Sequence, residues 1–170
     1  MNAEQKNFIE VVGAIASADM KNSGVAASLT TAQAILESAW GKSELTKTGN
    51  ALFGIKATKD WKGKTLTRKT TEYEDGKKVQ VDAEFRAYDT WEDSVKDHSA
   101  FLKKYKRYAK VIGETDYKEA CKAVAAAGYA TDPEYAKKLI ELIETYELYS
   151  YDTKNTKTDD LGAEDKKYYR

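Results

Sequence analysis

One stretch of this chain alternates strictly, and it limits the fold more than any other feature. Val79, Val81, Ala83, Phe85 and Ala87 are separated by Gln80, Asp82, Glu84 and Arg86, the period-two pattern of a half-buried strand. The Thr-rich run from Thr65 to Tyr73 can form its partner. Between them stands Asp75-Gly76, a strong hairpin signal, since a type I′ turn needs positive φ at both central positions. The remaining periodic segments repeat at helical spacing. The spacing therefore predicts an α+β domain, mainly helical, with one hairpin inserted among the helices.

Phe8, Ile9, Val12, Ile15 and Ala16 mark a first amphipathic helix, broken at Gly24. A second starts near Ser28 or Thr30 and ends near Trp40. Its apolar positions are Ala32, Ile35, Leu36, Ala39 and Trp40, with Gly41 as C-cap. Residues 42–60 read as short helical and loop pieces, punctuated by Gly49-Asn50 and Gly54. After the hairpin, Asp89 or Thr90 caps a helix carrying Trp91, Val95, Phe101, Leu102 and Tyr105, with Glu92 placed for a capping box. An Ala-rich helix over 116–127 stops at Gly128. The last helix has Asp132 as N-cap and Pro133 at its first position. Its inner face carries Leu139, Ile140, Leu142, Ile143 and Tyr146. From Tyr151 onward the chain is polar, with five basic and five acidic residues. We therefore expect one domain over 1–150 and a polar tail or linker over 151–170. A helical lobe and a small β lobe would flank a cleft, the usual place for a ligand.

The 28 basic and 28 acidic residues cancel, which argues against a surface built for nucleic acid. Locally, Lys47–Lys78 holds nine Lys or Arg against four Asp or Glu, a balance of +5 that suits an anionic polymer or simply a solvated hairpin. Cys121 is the single cysteine, so no intrachain disulfide can form. Its Ala-rich surroundings suggest a small buried apolar residue. The single histidine, His98, lies in a helical pattern and reads as a packing or surface residue. One His and one Cys make a zinc site a poor fit, and we expect no metal and no cofactor. No run approaches membrane-spanning length, so no membrane insertion is expected. The opening MNAEQKNFIEVVG lacks a basic start followed by a long apolar run, so no signal peptide is visible.

Glu37 directly follows Leu36 beside the apolar stripe, with Trp40 three residues on. A carboxyl beside an indole in a partly dry site has its charged form disfavoured, which raises its pKa, as a general acid near neutral pH requires. Spacing alone leaves open a solvated helix-end glutamate. A second carboxylate could come from the hairpin. Glu72 lies on the strand before the turn, and Glu74 shares its face. A protonated and an ionised carboxyl across a cleft suit glycoside hydrolysis, although pattern alone also fits exposed hairpin residues. Among the 12 tyrosines and 3 tryptophans, several fall in loops, including Trp61, Tyr73, Tyr88 and Tyr129. Sugar rings stack on such faces. Tyr129 lies between a helix stop and a helix start in GYATDP, where its hydroxyl can point into a cleft.

Four blocks in order over about residues 5–147 carry a resemblance. They are AQAILESAWGKSEL; NALFGIKA with the following DWKGK; TTEYEDGK running to FRAYDTWEDSVKDHSAFL; and AVAAAGYATDPEYAKKLIELIETY. The chain resembles the peptidoglycan-cleaving β-N-acetylglucosaminidase domains of bacterial autolysins, flagellar rod-cap hydrolases and phage lysins, glycoside hydrolase family 73. The resemblance implies a lysozyme-like fold, with Glu37 as general acid, Glu72 as second carboxylate and Tyr129 as a cleft residue supporting catalysis. It places Trp40, Asn50, Phe53, Gly54 and Lys56 on motif positions around the site, and Tyr73 and Asp132 in its substrate-binding surroundings. Where ESGWG is common in the family, this chain reads ESAWG. The implied partner is the glycan strand of peptidoglycan, cut after N-acetylglucosamine by a monomer acting at the cell wall. The family's usual leader and wall-anchoring repeats are not visible, which fits a phage-type lysin or an excised catalytic domain. A lytic transglycosylase and a non-catalytic wall-binding module are the rival readings.

Overall fold

The computed structural model describes residues 1–156. The element order is α1 (Ala3–Ser23), α2 (Ala27–Ser38), α3 (Glu44–Gly49), β1 (Lys64–Glu74), β2 (Lys77–Ala87), α4 (Trp91–Lys104), α5 (Tyr117–Ala126), α6 (Tyr135–Thr145) and α7 (Tyr149–Thr156). A single 3-10 turn, Lys106–Tyr108, follows α4. The helices form the body, and β1 and β2 form a two-stranded antiparallel sheet.

α1 begins with a capping box between Asn2 and Gln5 and ends at Gly24, whose φ of 77° is the left-handed stop read from the sequence. α2 runs through the middle of the core. Every residue from Ala27 to Ile35 is buried, so it is not the one-faced helix expected. Leu36, assigned to its apolar stripe, is instead exposed. The buried face includes Ser28, Thr30, Thr31 and Gln33. Thr31 returns its hydroxyl to the Ala27 carbonyl at 2.8 Å.

α2 lacks a cap from its own N-cap residue, Ala26. The cap comes from α7. The Asp152 carboxylate accepts the Ser28 N–H at 2.9 Å and also the Ser28 hydroxyl. The Tyr151 ring lies where a side chain at Gly13 would sit, 2.4 Å from that Cβ position. The fold therefore extends past residue 150, because the polar composition after Tyr151 hides one buried carboxylate and one packed ring. Residues 157–170 of the expected tail lie outside the described residues.

The hairpin pairs Lys64 with Ala87 through to Glu74 with Lys77. Asp75 and Gly76 take φ of 51° and 75°, as the turn signal requires. Val79, Val81 and Ala83 are half-buried, and full burial starts only at Phe85. The base is fixed to the body. Arg86 is buried, grips Asp97 of α4 through both carboxylate oxygens at 3.2 Å, and donates to the Lys56 carbonyl at 3.1 Å. Gly49 is needed where Leu66 crosses it, since a Cβ there would lie 2.4 Å from Leu66 Cδ1.

Two cap assignments shift. Thr90 caps α4 through the Asp93 N–H, so the reciprocal position is Asp93 rather than Glu92. Asp132 accepts the Glu134 N–H at 2.9 Å and closes a turn, and α6 starts at Tyr135, two residues beyond Pro133. His98 and Cys121 are both fully buried in the core.

Candidate active site

α2 carries Glu37 out of the core on its last turn. Ser38 behind it is buried, bonds the Ala34 carbonyl at 2.6 Å and accepts the Gly41 N–H at 2.8 Å. The chain then turns through three successive left-handed residues, Ala39, Trp40 and Gly41, with φ of 50°, 62° and 79°. This turn removes Trp40 from helical register. Its indole packs edge-on against Phe8 and Tyr146, with centroids 6.0 and 5.2 Å away. The indole expected to desolvate Glu37 therefore does other work, because i, i+3 neighbours face each other only while the helix continues.

Glu37 is nevertheless partly desolvated. Its side chain is exposed along the open cleft, but the neighbouring protein atoms strip part of the hydration from its carboxyl. Burial raises the carboxyl pKa, and a hydrogen bond from the Tyr135 hydroxyl to Oε1, 3.0 Å long, partly opposes the rise. Tyr135 comes from the first turn of α6 and is 2% exposed.

The cleft holds about 360 Å³. Glu37 meets Phe53, Gly54 and Lys56 of the loop after α3, Arg107 and Tyr108 after α4, and Tyr129 between α5 and α6. Phe53 stacks on His98 at 4.0 Å between centroids. Gly54 has a φ of 60° and open space where a Cβ would be, leaving that part of the floor clear. The Tyr129 ring stacks parallel to Tyr135 at 6.0 Å. Its hydroxyl is buried without a hydrogen-bond partner. Burial and the neighbouring Glu37 push the Tyr129 pKa well up, so it is a neutral hydroxyl with a proton to donate. Among the described residues, no group of three His, Cys, Asp or Glu could hold a metal ion.

This is a mainly helical domain with a small hairpin and a carboxyl acid at the end of a buried helix. The family model described as mannosyl-glycoprotein endo-beta-N-acetylglucosaminidase matches residues 13–148. The chain belongs to the glucosaminidase family. It is 41% identical over 167 residues to the exo-glucosaminidase LytG of Bacillus subtilis (strain 168), covering 94% of this chain and 58% of the relative. It is 36% identical over 148 residues to the peptidoglycan hydrolase FlgJ of Salmonella typhimurium, covering 85% of this chain and 47% of the relative. The fold matches the catalytic domain of the autolysin Auto from Listeria monocytogenes with a TM-score of 0.80, 34% identity and 89% coverage of both chains. The fold is lysozyme-like, as the resemblance implied. The chain spans about half the length of the curated relatives it matches.

Within this glucosaminidase domain, five of the expected site residues share the cleft: Glu37, Phe53, Gly54, Lys56 and Tyr129. The others stand elsewhere. Trp40 is in the ring cluster described above. Asn50 caps α3 with a φ of 53° and donates to the Tyr88 and Asp89 carbonyls at 3.1 and 3.0 Å. Tyr73 is 68% exposed, on the hairpin face opposite Glu72. Asp132 closes its turn and pairs with Lys138 at 2.5 Å. Glu72 sits half-buried on the hairpin, 3.5 Å from the Lys56 ammonium, so it is linked to the cleft through that lysine.

Tyr135 and Gln33 were missed by the sequence reading. Tyr135 had a signal, because stepping back four residues from Leu139 on the inner face of α6 reaches it. Gln33 had a weaker one, as a lone amide between Ala32 and Ala34 in an apolar run.

Proposed function

We propose that this domain hydrolyses the β-1,4 bond after N-acetylglucosamine in the glycan strands of peptidoglycan, acting at the cell wall as a monomer. The observation that carries this reading is Glu37, a partly desolvated carboxyl with a raised pKa, bonded to the buried Tyr135 at the edge of a cleft. Such a group holds its proton to higher pH than a free glutamate. It can therefore protonate the glycosidic oxygen as the bond breaks. The Tyr129 hydroxyl supports this role. Buried without a partner, it gains one when substrate or a developing charge arrives, and an interaction realised only then lowers the barrier. The names of the relatives support peptidoglycan as the polymer.

Two routes complete the reaction. Glu72 could activate a water, or the substrate's acetamido group could attack the anomeric carbon. Glu72 is held by Lys56 and does not line the cleft wall, so the first route requires the hairpin to close on the substrate. The acetamido route requires no such movement. The anomeric configuration of the first-formed product separates them. Inversion supports Glu72 as base and retention supports the acetamido group.

The whole reading is tested by the ends released from digested peptidoglycan. New N-acetylglucosamine reducing ends support it. New 1,6-anhydro ends would make the protein a lytic transglycosylase, and no new ends would make it a binding module.

A further inference from the structure

Behind the Glu37–Tyr135 bond runs a line of buried polar groups that leads away from the cleft. The Tyr135 hydroxyl lies 3.0 Å from Gln33 Nε2. Gln33 Oε1 lies 2.8 Å from His98 Nε2. Gln33 and His98 are fully buried, and neither lines the cleft. Three helices contribute: α2 gives Gln33 and Glu37, α4 gives His98, and α6 gives Tyr135.

Such a chain can point in two directions. In the forward direction His98 Nε2–H donates to Gln33 Oε1, Gln33 Nε2–H donates to Tyr135, and Tyr135 O–H donates to Glu37 Oε1. In the reverse direction the Gln33 amide is flipped, so that Oε1 accepts the Tyr135 hydroxyl and Nε2 donates to a bare His98 Nε2. Tyr135 then accepts the Glu37 proton on Oε1, which turns that proton into the protein and away from substrate.

His98 decides between them. Burial lowers its pKa to about 3, so the ring is neutral and carries one N–H. The reverse direction puts that N–H on Nδ1, which is buried with no partner. An orphaned buried N–H is costly and rare. The forward direction leaves only a lone pair on Nδ1, a smaller loss than an unmade N–H bond, while the ring itself stays stacked on Phe53.

We propose that His98 and Gln33 are positioning residues that point this chain toward Glu37, so that the acid proton is carried on Oε2, the oxygen left free. The proposal rests on the reading of Glu37 as general acid. The other titratable groups around the Glu37 carboxyl are Lys56, Tyr105, Arg107, Tyr108 and Tyr129. Among the described residues none of them hydrogen-bonds to it, so Tyr135 alone fixes which oxygen is taken.

His98 is the only histidine in the chain, so ¹⁵N NMR of its imidazole in the intact protein reads a single tautomer. The Nε2–H form is expected throughout pH 5–8. An Nδ1–H form, or a ring that protonates in this range, would overturn the proposal. Kinetics on purified peptidoglycan supply the second reading. His98→Met, which offers no donor, should lower kcat by about fivefold to tenfold with KM unchanged, the worth of one hydrogen bond. His98→Gln, whose amide nitrogen can replace Nε2–H, should recover most of that loss. Equal kcat in the two folded variants would refute the chain while leaving Glu37 in place, provided Glu37→Gln is still inactive. An active Glu37→Gln would instead sink the reading beneath it. If His98→Met does not fold, the tautomer measurement still decides.

Discussion

Ala39→Gly should stabilise this protein, and the backbone says by how much. Ala39 takes a φ of 50° and ψ of 54° as the C-cap of α2. For an L-residue that conformation costs roughly 1–2 kcal/mol, because Cβ crowds the following carbonyl. Glycine avoids the clash but has more freedom to lose on folding, about 0.4–1 kcal/mol. The Ala39 side chain is exposed, so removing it sacrifices no packing. The net gain is about 0.5–1 kcal/mol. For a chain of this size that corresponds to a rise of roughly 1–4 °C in Tm. The neighbouring residue provides the contrast. Trp40 has a similar φ of 62°, but Trp40→Gly would remove the ring that meets Phe8 and Tyr146. A loss of about 3–5 kcal/mol far exceeds the strain relieved, so Tm should fall. Thermal unfolding followed by circular dichroism at neutral pH reads both variants. A lower Tm for Ala39→Gly would refute the claim that strain at this turn outweighs chain entropy. Its specific activity should match the parent, since Ala39 touches neither the cleft nor the Tyr135 bond.

Three further outcomes follow from the structure. Tyr135→Phe removes the bond that favours the charged form of Glu37, so Glu37 should keep its proton to higher pH. The alkaline limb of the kcat profile should then move up in pH, and a downward shift would contradict the assignment. Tyr129→Phe removes an unpartnered hydroxyl, so Tm should change little while activity falls by about tenfold or more; a lower Tm with unchanged activity would make the tyrosine structural. Asp152→Ala leaves the Ser28 N–H and hydroxyl buried without an acceptor, at about 1–3 kcal/mol, so urea unfolding should show a lower midpoint at unchanged slope, and an unchanged midpoint would refute the cap from α7.

Local chemistry was legible in the sequence and long-range chemistry was not. The hairpin was readable because alternation and Asp75-Gly76 act over a few residues. Gly24 and Gly128 were readable as stops because both take positive φ. The resemblance in LESAWG points to Glu37, but its raised pKa does not come from the indole three residues on. Trp40 leaves the helix through a strained turn that periodicity cannot foresee, and the tyrosine that holds Glu37 lies 98 residues away. α2 looked one-sided because Ser28, Thr30 and Gln33 counted as polar. In the fold Gln33 and Ser28 are buried because Tyr135, His98 and Asp152 meet them across the chain. From Tyr151 on, α7 reads as tail in the sequence for the same reason, since a single buried Asp152 leaves no pattern.

In the proposed reaction the Glu37 carboxyl supplies the proton to the glycosidic oxygen. Glu37→Gln keeps the shape of the side chain and can still accept the Tyr135 hydroxyl, but it has no acid proton. The measurement is the rate at which the folded variant releases reducing ends from purified peptidoglycan, against the parent at the same pH. A loss of about a thousandfold or more, with Tm and glycan binding retained, is the predicted result. A folded Glu37→Gln with more than about a tenth of the parent rate would mean that another group supplies the proton.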